Sequence, residues 1–565
     1  MNEFNNIRSA AKKYSTWIIL VSVIFLQLLV AAFYMNIKQF YFVDELCCYE
    51  GAHNIMLYSF QQYGPPFRLD NSSDAFYKWI PKSEFMQHFE VRGEERLLAH
   101  SLYDIRQNIK IKNTYYIMFN LLLSLWPNAE FTKWSGYALN AIIFIAHQIV
   151  LYLIGLEVFK DKKNALLPMI LFGFSAGAIT LTIFIRFYLF MSLLCLLIAY
   201  GHMILLKRKN VRNIITAFAI TAMAILSLYG NQPFIVLYAA SAMFIFGIVC
   251  LLEKEYKFLL KYIGIGLAGV AVVLAFAPSV VSRLLSMAES AQGIWIIRNL
   301  LRKPLGEYAH HIRFYFMKTL SHVTAGVYGI AAVVLLLLIV WIIQGRKKIR
   351  INKPVYFSFY ALFIVGVSVC YFLINTRIQW GETYRYMTCV YAGLCVGIAV
   401  LLKWIMESCK LRYQNIILCA VVIIGLVISY WRGYVDETYL WLAGVKQCLA
   451  EYEGIDNIFY SKPLDSDIQP TESPNRYYLD GVMMNDNTRM YLMEPEDLDE
   501  VDYSFIADTY DKGILCWLPL SWEEDIGMRD YALDQILSHT DYNEYRKVFE
   551  TDYYYQPGSS VYYVY

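Results

Sequence analysis

Residues 16–53 read TWIILVSVIFLQLLVAAFYMNIKQFYFVDELCCYEGAH. From 16 to 36 the chain is almost continuously apolar, and a helix of that length crosses about 30 Å of hydrocarbon. Arg8, Lys12 and Lys13 precede the stretch and no small-residue cleavage site follows it. It therefore reads as an uncleaved anchor with its N-terminus inside. Beyond Ile37 the polarity changes, and Asp44 and Glu45 stand side by side at the membrane surface. Read as a helix, Asp44, Cys48 and Ile55 share one stripe, and Glu45, Tyr49, Ala52, His53 and Met56 share the next. A helix N-terminus favours two carboxylates electrostatically. A carboxylate held against an acceptor hydroxyl is also what general-base catalysis needs. The plainer reading is that the pair only opens an interfacial helix.

The rest of the chain repeats the apolar block. Of 565 residues 58% are hydrophobic and 17% charged, against about 45–50% and about 25% in soluble domains. Further spans are expected near 134–157, 165–185, 187–206, 214–230, 234–252, 262–281, 323–344, 355–374, 386–405 and 414–431, about eleven in all. In lipid each must be helical to satisfy its own backbone groups. The predicted fold is mainly α, a polytopic membrane protein with a small extracytoplasmic α/β domain at its C-terminus. Inner loops then carry Lys160, Lys162 and Lys163; Lys207, Arg208, Lys209 and Arg212; Lys254, Lys257 and Lys261; Arg346, Lys347, Lys348, Arg350 and Lys353; and Lys410 and Arg412. That bias orients the chain across a cell (plasma) membrane with the C-terminal domain outside.

Charge divides the chain near 431. From Trp431 onward there are 27 acidic and 9 basic residues, against 20 and 40 before it. Residues 1–431 are expected as the membrane domain, with a long outer loop at 37–133 and a second at 282–322. Residues 432–565 are expected as the acidic domain. In the first loop, 113–126 is apolar but too short to span, so it reads as re-entrant or interfacial. In the second, 294–320 interleaves bases with aromatics and leucines, as an interfacial helix does, and suits anionic headgroups or a donor phosphate. The tail alternates helical stretches (436–453, 522–538) with strand-like runs at Asn457–Tyr460, Gly513–Leu518 and Val561–Tyr565. Most cysteines lie in apolar spans and suggest no disulfide framework; pairing of Cys448 with Cys516 is left open.

Several short motifs lie at the expected outer face. Tyr115-Tyr116-Ile117 runs on to Leu125-Trp126-Pro127, and Phe131-Thr132-Lys133-Trp134-Ser135-Gly136 leads into the next span. Arg186-Phe187-Tyr188 joins the third and fourth spans, and Arg385-Tyr386-Met387 opens the tenth. A first span followed by an outer Asp-Glu pair, with these motifs in this order, resembles the GT-C fold glycosyltransferases of the protein O-mannosyltransferase and aminoarabinose-transferase-like branch. The likeness covers roughly residues 10–431. The His-Pro-Pro that such proteins carry ahead of Tyr-Tyr is replaced here by Ile111-Lys112-Asn113, or by Lys112-Asn113-Thr114 under a one-residue shift.

The resemblance implies a glycosyltransferase that moves a sugar from a polyprenyl-phosphate carrier to an extracytoplasmic acceptor. It implies Asp44 as the catalytic base, with Glu45 orienting acceptor or base. Donor-phosphate or acceptor contacts would fall to Arg186, Tyr188, Arg385, Tyr386, His53, Tyr115 and Tyr116. Partners are then the lipid-linked donor, the acceptor and membrane lipids, with no nucleic acid. No cofactor is required, and a divalent metal, though compatible, has no support in the sequence. A charge near membrane depth usually faces a cavity or partner, although Arg186 and Arg385 could also snorkel to headgroups. Competing readings are a transporter or flippase of lipid-linked precursors, and an inactive scaffold of the same fold. Asp465-Ser466-Asp467 imitates the DxD of nucleotide-sugar transferases but sits in the extracytoplasmic tail, where nucleotide sugars are absent. Orientation is testable directly. A cysteine at position 470 of a cysteine-depleted variant is expected to react with an impermeant reagent in intact cells lacking an outer membrane. Labelling only after lysis would reverse the topology.

Overall fold

The computed structural model describes residues 2–38, 41–53, 78–86, 89–90, 114–126, 131–228, 233–276, 291–345, 349, 359–379, 384–435, 448–460, 484, 488–493, 503, 506, 512–520, 526–553 and 556–565. The DxD at 465–467 and the replaced segment 111–113 lie outside them. In chain order the elements are α1 (Asn2–Ile37), α2 (Val43–His53), β1 (Trp79–Pro81), α3 (Lys82–Met86), α4 (Thr114–Leu125), α5 (Lys133–Phe159), α6 (Leu166–Gly173), α7 (Ala176–Ile183), α8 (Tyr188–Lys207), α9 (Val211–Ser227), α10 (Pro233–Leu252) and α11 (Tyr256–Phe276). Next come α12 (Ala291–Arg302), α13 (Leu305–Thr324), α14 (Gly326–Ile343), α15 (Phe359–Ile378), a 3-10 helix at Tyr384–Val390, α16 (Tyr391–Ser408) and α17 (Gln414–Trp431). The tail holds β2 (Asp456–Tyr460), β3 (Arg489–Met493), β4 (Ile514–Pro519), α18 (Ile526–Ser538), β5 (Tyr545–Tyr553) and β6 (Gln556–Val564).

The chain is a polytopic membrane protein. Among the described residues 8 helices are long and apolar enough to cross a membrane, and α6 with α7, bent by 65°, brings the number to 9 if the pair is one span. Over its described residues each of the eleven segments expected from sequence is helical in the main, 165–185 as the two helices α6 and α7. The two that do not count among those nine, α9 and α11, are helical as well, α9 being only 17 residues long. The expected interfacial segment is the 12-residue α4. Two compact units are distinguished. The first comprises 1–35, 109–115 and 136–436, and the second 36–108, 116–135 and 437–565.

Within the first unit, local chemistry explains the helix breaks. Gly173 ends α6 where a Cβ would lie 2.3 Å from the Gln27 amide and 2.4 Å from that of Gln148. Only glycine admits both side chains so close. Ser175 then caps α7, accepting from the Ala178 amide at 3.2 Å and donating to the Phe172 carbonyl at 2.6 Å. Three of the basic loops stop a helix with a left-handed lysine, at Lys160, Lys254 and Lys410. After Lys254 and Lys410 the next amide reaches back to Cys250 or Met406, at 2.9 Å in both cases. That is a Schellman-type closure, with the lysine charge at the negative helix end.

In the second unit the sheet order is β1-β3-β2-β4-β6-β5. Strand β2 lies parallel to both β3 and β4, whereas β6 pairs antiparallel with β4 and β5. All of β2 and most of β4 are buried on both faces, which is what central parallel strands require. One face packs Ile458, Tyr460, Cys516 and Leu518 against Ala532, Leu533 and Ile536 of α18. Burial pushes the Cys516 thiol up, and both Cys516 and Cys448 are free. On the other face Phe459 stacks on Trp517 at 5.1 Å, and the indole N–H of Trp517 donates to Asn457 at 2.8 Å.

The edge strand β1 comes from the loop after the first span. It pairs antiparallel with β3, Ile80 opposite Met490. Trp79 lies 5.3 Å from Tyr491, with the Arg489 guanidinium 4.7 Å from its ring centroid. Arg489 in turn pairs with Asp456 at 2.6 Å. Ile80 is 1% exposed, so Ile80→Asp places a carboxylate in an apolar site at a cost of several kcal/mol. Limited proteolysis is expected to cut the 437–565 region faster in this variant. Unchanged cutting there would show that β1 contributes nothing to the sheet.

Candidate functional site

Asp44 and Glu45 belong to the second unit and sit in the first turn of α2. Their environments differ. The Glu45 amide donates to the Phe42 carbonyl at 2.8 Å, and its carboxylate accepts from the Phe42 amide at 2.8 Å. The carboxylate-to-amide bond is the Glu half of a capping box, while Phe42, which has no side-chain acceptor, answers with its backbone carbonyl. The other carboxylate oxygen pairs with Lys38, and both side chains are fully buried. Lys133, at the start of α5, donates to the carbonyls of Lys38 and, at 3.0 Å, Asn36. One ion pair and one ammonium thus join the end of α1, the start of α2 and the start of α5.

The rest of α2 is anchored along the same stripe. Tyr49 is buried, donates to the Thr132 carbonyl at 2.6 Å, and packs against Phe131 at 4.6 Å and Phe119 at 4.8 Å. Asn120 donates to the Ala52 carbonyl at 2.8 Å, satisfying the helix end. The stripe Glu45, Tyr49 and Ala52 therefore turns inward. Asp44, about 100° away around the helix, stays partly exposed. The side chain of His53 lies outside the described residues, and Tyr116 is partly exposed on α4.

The arginine motifs belong to the first unit. Arg186 sits in the turn between α7 and α8, where its amide donates to the Phe184 carbonyl at 2.7 Å and its guanidinium lies 5.0 Å from the Phe187 ring. Asn140 of α5 holds that turn, donating to the carbonyls of Phe184 at 2.7 Å and Thr182 at 3.1 Å. Tyr115 donates in turn to Asn140 at 3.1 Å and is fully buried. Its phenol orients the asparagine that shapes the Arg186 turn. Sequence reading had no means of finding Asn140, because a single asparagine in an apolar span has no motif.

The two Arg-Tyr motifs meet. The Tyr188 and Tyr386 rings are 5.8 Å apart, edge to face, and Tyr386 stacks on Phe234 at 3.9 Å. The Tyr386 carbonyl accepts from Tyr371 at 2.8 Å and Asn375 at 3.2 Å. Thr388 donates to the Arg385 carbonyl at 3.0 Å. These bonds fix the short 3-10 helix that presents Arg385. Beside it Lys318 lies 5.2 Å from the Tyr384 ring centroid, and His322 bonds the Tyr391 phenol at 2.7 Å. Lys318 belongs to the 294–320 stretch already read as suiting headgroups or a donor phosphate, whereas Tyr384 and His322 carried no such signal in the sequence.

Two strings imitate unrelated motifs. Gly173-Phe174-Ser175-Ala176-Gly177 has the spacing of a serine-hydrolase elbow, yet the Ser175 hydroxyl is spent on capping α7. Gly264-Ile265-Gly266-Leu267-Ala268-Gly269 has dinucleotide-loop spacing but lies inside α11. Among the described residues no three His, Cys, Asp or Glu side chains group as metal ligands.

No family model and no curated protein sequence matches the chain. Among solved structures the chain is similar to the crystal structure of ArnT from Cupriavidus metallidurans bound to undecaprenyl phosphate, with 9% identity over 98% of both chains and a TM-score of 0.47.

Proposed function

We propose that the protein is a membrane glycosyltransferase using a polyprenyl-phosphate sugar donor and an extracytoplasmic acceptor. The observation that carries this reading is the meeting of Arg186-Phe187-Tyr188 with Arg385-Tyr386 at the Tyr188–Tyr386 contact. Two guanidiniums on rigid turns suit a phosphate, whose oxygens accept paired N–H bonds. Of the two carboxylates, Glu45 is buried and ion-paired and Asp44 is partly exposed, and this reading takes Asp44 as the base.

In the proposed step the acceptor oxygen forms a bond to the anomeric carbon. The bond from that carbon to the phosphate oxygen breaks, and its electron pair leaves with the lipid phosphate. Asp44 takes the hydroxyl proton. Arg186 and Arg385 stabilise the charge gained by the departing phosphate, the kind of fixed electrostatic support that lowers such barriers most. Glu45 acts through the backbone of α2 and not on the acceptor.

One observation favours a second reading, a carrier of intact lipid-linked precursors. Helices α6 and α7 meet at a bend of 65°, and broken spans line the sites of many transporters. Product analysis in reconstituted membranes separates the two, because transfer releases sugar-free lipid phosphate and transport does not.

The transferase reading makes two quantitative expectations. Asp44→Asn keeps size and removes the base, so transfer falls by about 10²–10⁴ with thermal stability little changed. Arg385→Lys keeps the charge but loses the planar fork, so donor use weakens by roughly 10- to 150-fold. The assay is donor-concentration dependence of transfer. Full activity in Asp44→Asn removes that residue from its role, and a silent Arg385→Lys removes the phosphate assignment.

A further inference from the structure

Helix α12 falls outside the proposed chemistry, and its two faces are sharply different. Its inner face is tied to the end of span α15. Asn299 is buried and donates toward the Gln379 carbonyl at 3.4 Å. Lys303, just past the helix, donates to the Gln379 carbonyl at 2.9 Å and to Thr376 at 3.4 Å. In the other direction Arg377 donates to the Leu300 carbonyl at 2.8 Å and to Lys303 at 3.4 Å. Each helix end thus has its orphan carbonyls met by a cation from the other. Because α15 is a membrane span, a helix fastened to its end lies at the boundary between hydrocarbon and headgroups.

The outer face carries Ile294, Ile297, Leu300 and Leu301, all exposed, with Leu301 at 71%. At about 100° per residue these four cover an arc of about 120°. Arg298 and Arg302, both exposed, follow on the next part of the circumference. Leu305, beyond the helix, is 79% exposed. An apolar arc bordered on one side by arginines, at the end of a span, matches a helix lying in a bilayer interface. Aqueous exposure of that arc would be costly.

We propose that α12 is a lipid-binding surface. Its Ile294–Leu301 arc dips into the acyl region, and Arg298 and Arg302 gather anionic phospholipid headgroups. The site is distinct from the Arg186–Arg385 pair and does not depend on the transferase reading. Its ligand is a bulk anionic phospholipid, recognised by charge and depth.

Two measurements test this on the full-length protein in mixed phosphatidylcholine–phosphatidylglycerol vesicles without polyprenyl phosphates. In the first, p-benzoylphenylalanine replaces Leu301 and is photolysed. The expected adduct is with phospholipid. Adducts only with a second copy of the chain, or none with lipid, would overturn the proposal. The second compares the parent with Arg298→Gln/Arg302→Gln, using spin-labelled phosphatidylglycerol and spin-labelled phosphatidylcholine. Association of the labelled phosphatidylglycerol should drop by roughly fivefold for each arginine removed, while phosphatidylcholine is unaffected. Equal phosphatidylglycerol association in both proteins would remove the arginines from headgroup capture. Both side chains point outward, so the variant retains the fold.

Discussion

A fully buried ion pair, Lys38 with Glu45, organises the surface end of the first span. Two charges withdrawn from water cost several kcal/mol each unless they meet in good geometry with their remaining hydrogen-bonding capacity used. The second oxygen of Glu45 accepts from the Phe42 amide, and beside the pair Lys133 meets the backbone carbonyls of Lys38 and Asn36. These bonds fix the end of α1 to the start of α2, a few residues on, and to the start of α5, far away in sequence. The consequence for chemistry is indirect. Glu45 is fully buried with Tyr49 and Ala52 behind it, and Asp44 is the partly exposed carboxylate of the two, although Cys48, one turn further along its stripe, is buried as well.

The same logic of polar atoms holding a turn recurs around the arginines. Arg186 lies in a turn whose carbonyls are met by Asn140, itself oriented by Tyr115. Arg385 opens a 3-10 helix whose first carbonyls are met by Thr388, Tyr371 and Asn375. Close approaches make room for these bonds. A Cβ at Gly136 would lie 2.4 Å from Ile185, just before Arg186, and one at Gly177 would lie 2.7 Å from Tyr391 and 3.1 Å from His322. In a core packed as densely as a crystal, such glycines are where helices can come near enough to share hydrogen bonds. A methyl group at Gly136 would collide with the Ile185 side chain, and one at Gly177 with the Tyr391 ring.

Much of the architecture could be read from the chain because the bilayer imposes one rule: apolar length becomes helix. The strands at Asn457–Tyr460 and Gly513–Leu518 were also legible, since central parallel strands are apolar throughout. Strand β1 was not. Trp79-Ile80-Pro81 is too short to show a period, and its partner Arg489–Tyr491 is some four hundred residues away. At the site, the motifs carrying Arg186 and Arg385 were visible, but their contact through Tyr188 and Tyr386 required the fold. The Asp44-Glu45 pair looked symmetric in sequence. Lys38, an ordinary lysine just past a span, separates their environments, and nothing in its sequence context distinguishes it from a snorkelling residue.

The central claim, that Glu45 frames the site while Asp44 acts in it, is tested most directly by removing both buried charges together. Lys38→Met and Glu45→Gln each strand one buried charge, and each is expected to cost about 3–5 kcal/mol of stability. The double variant strands none and keeps an acceptor for the Phe42 amide. It should regain most of the thermal stability and most of the sugar transfer. A double variant that is stable yet inactive would contradict the account and assign Glu45 to the chemistry.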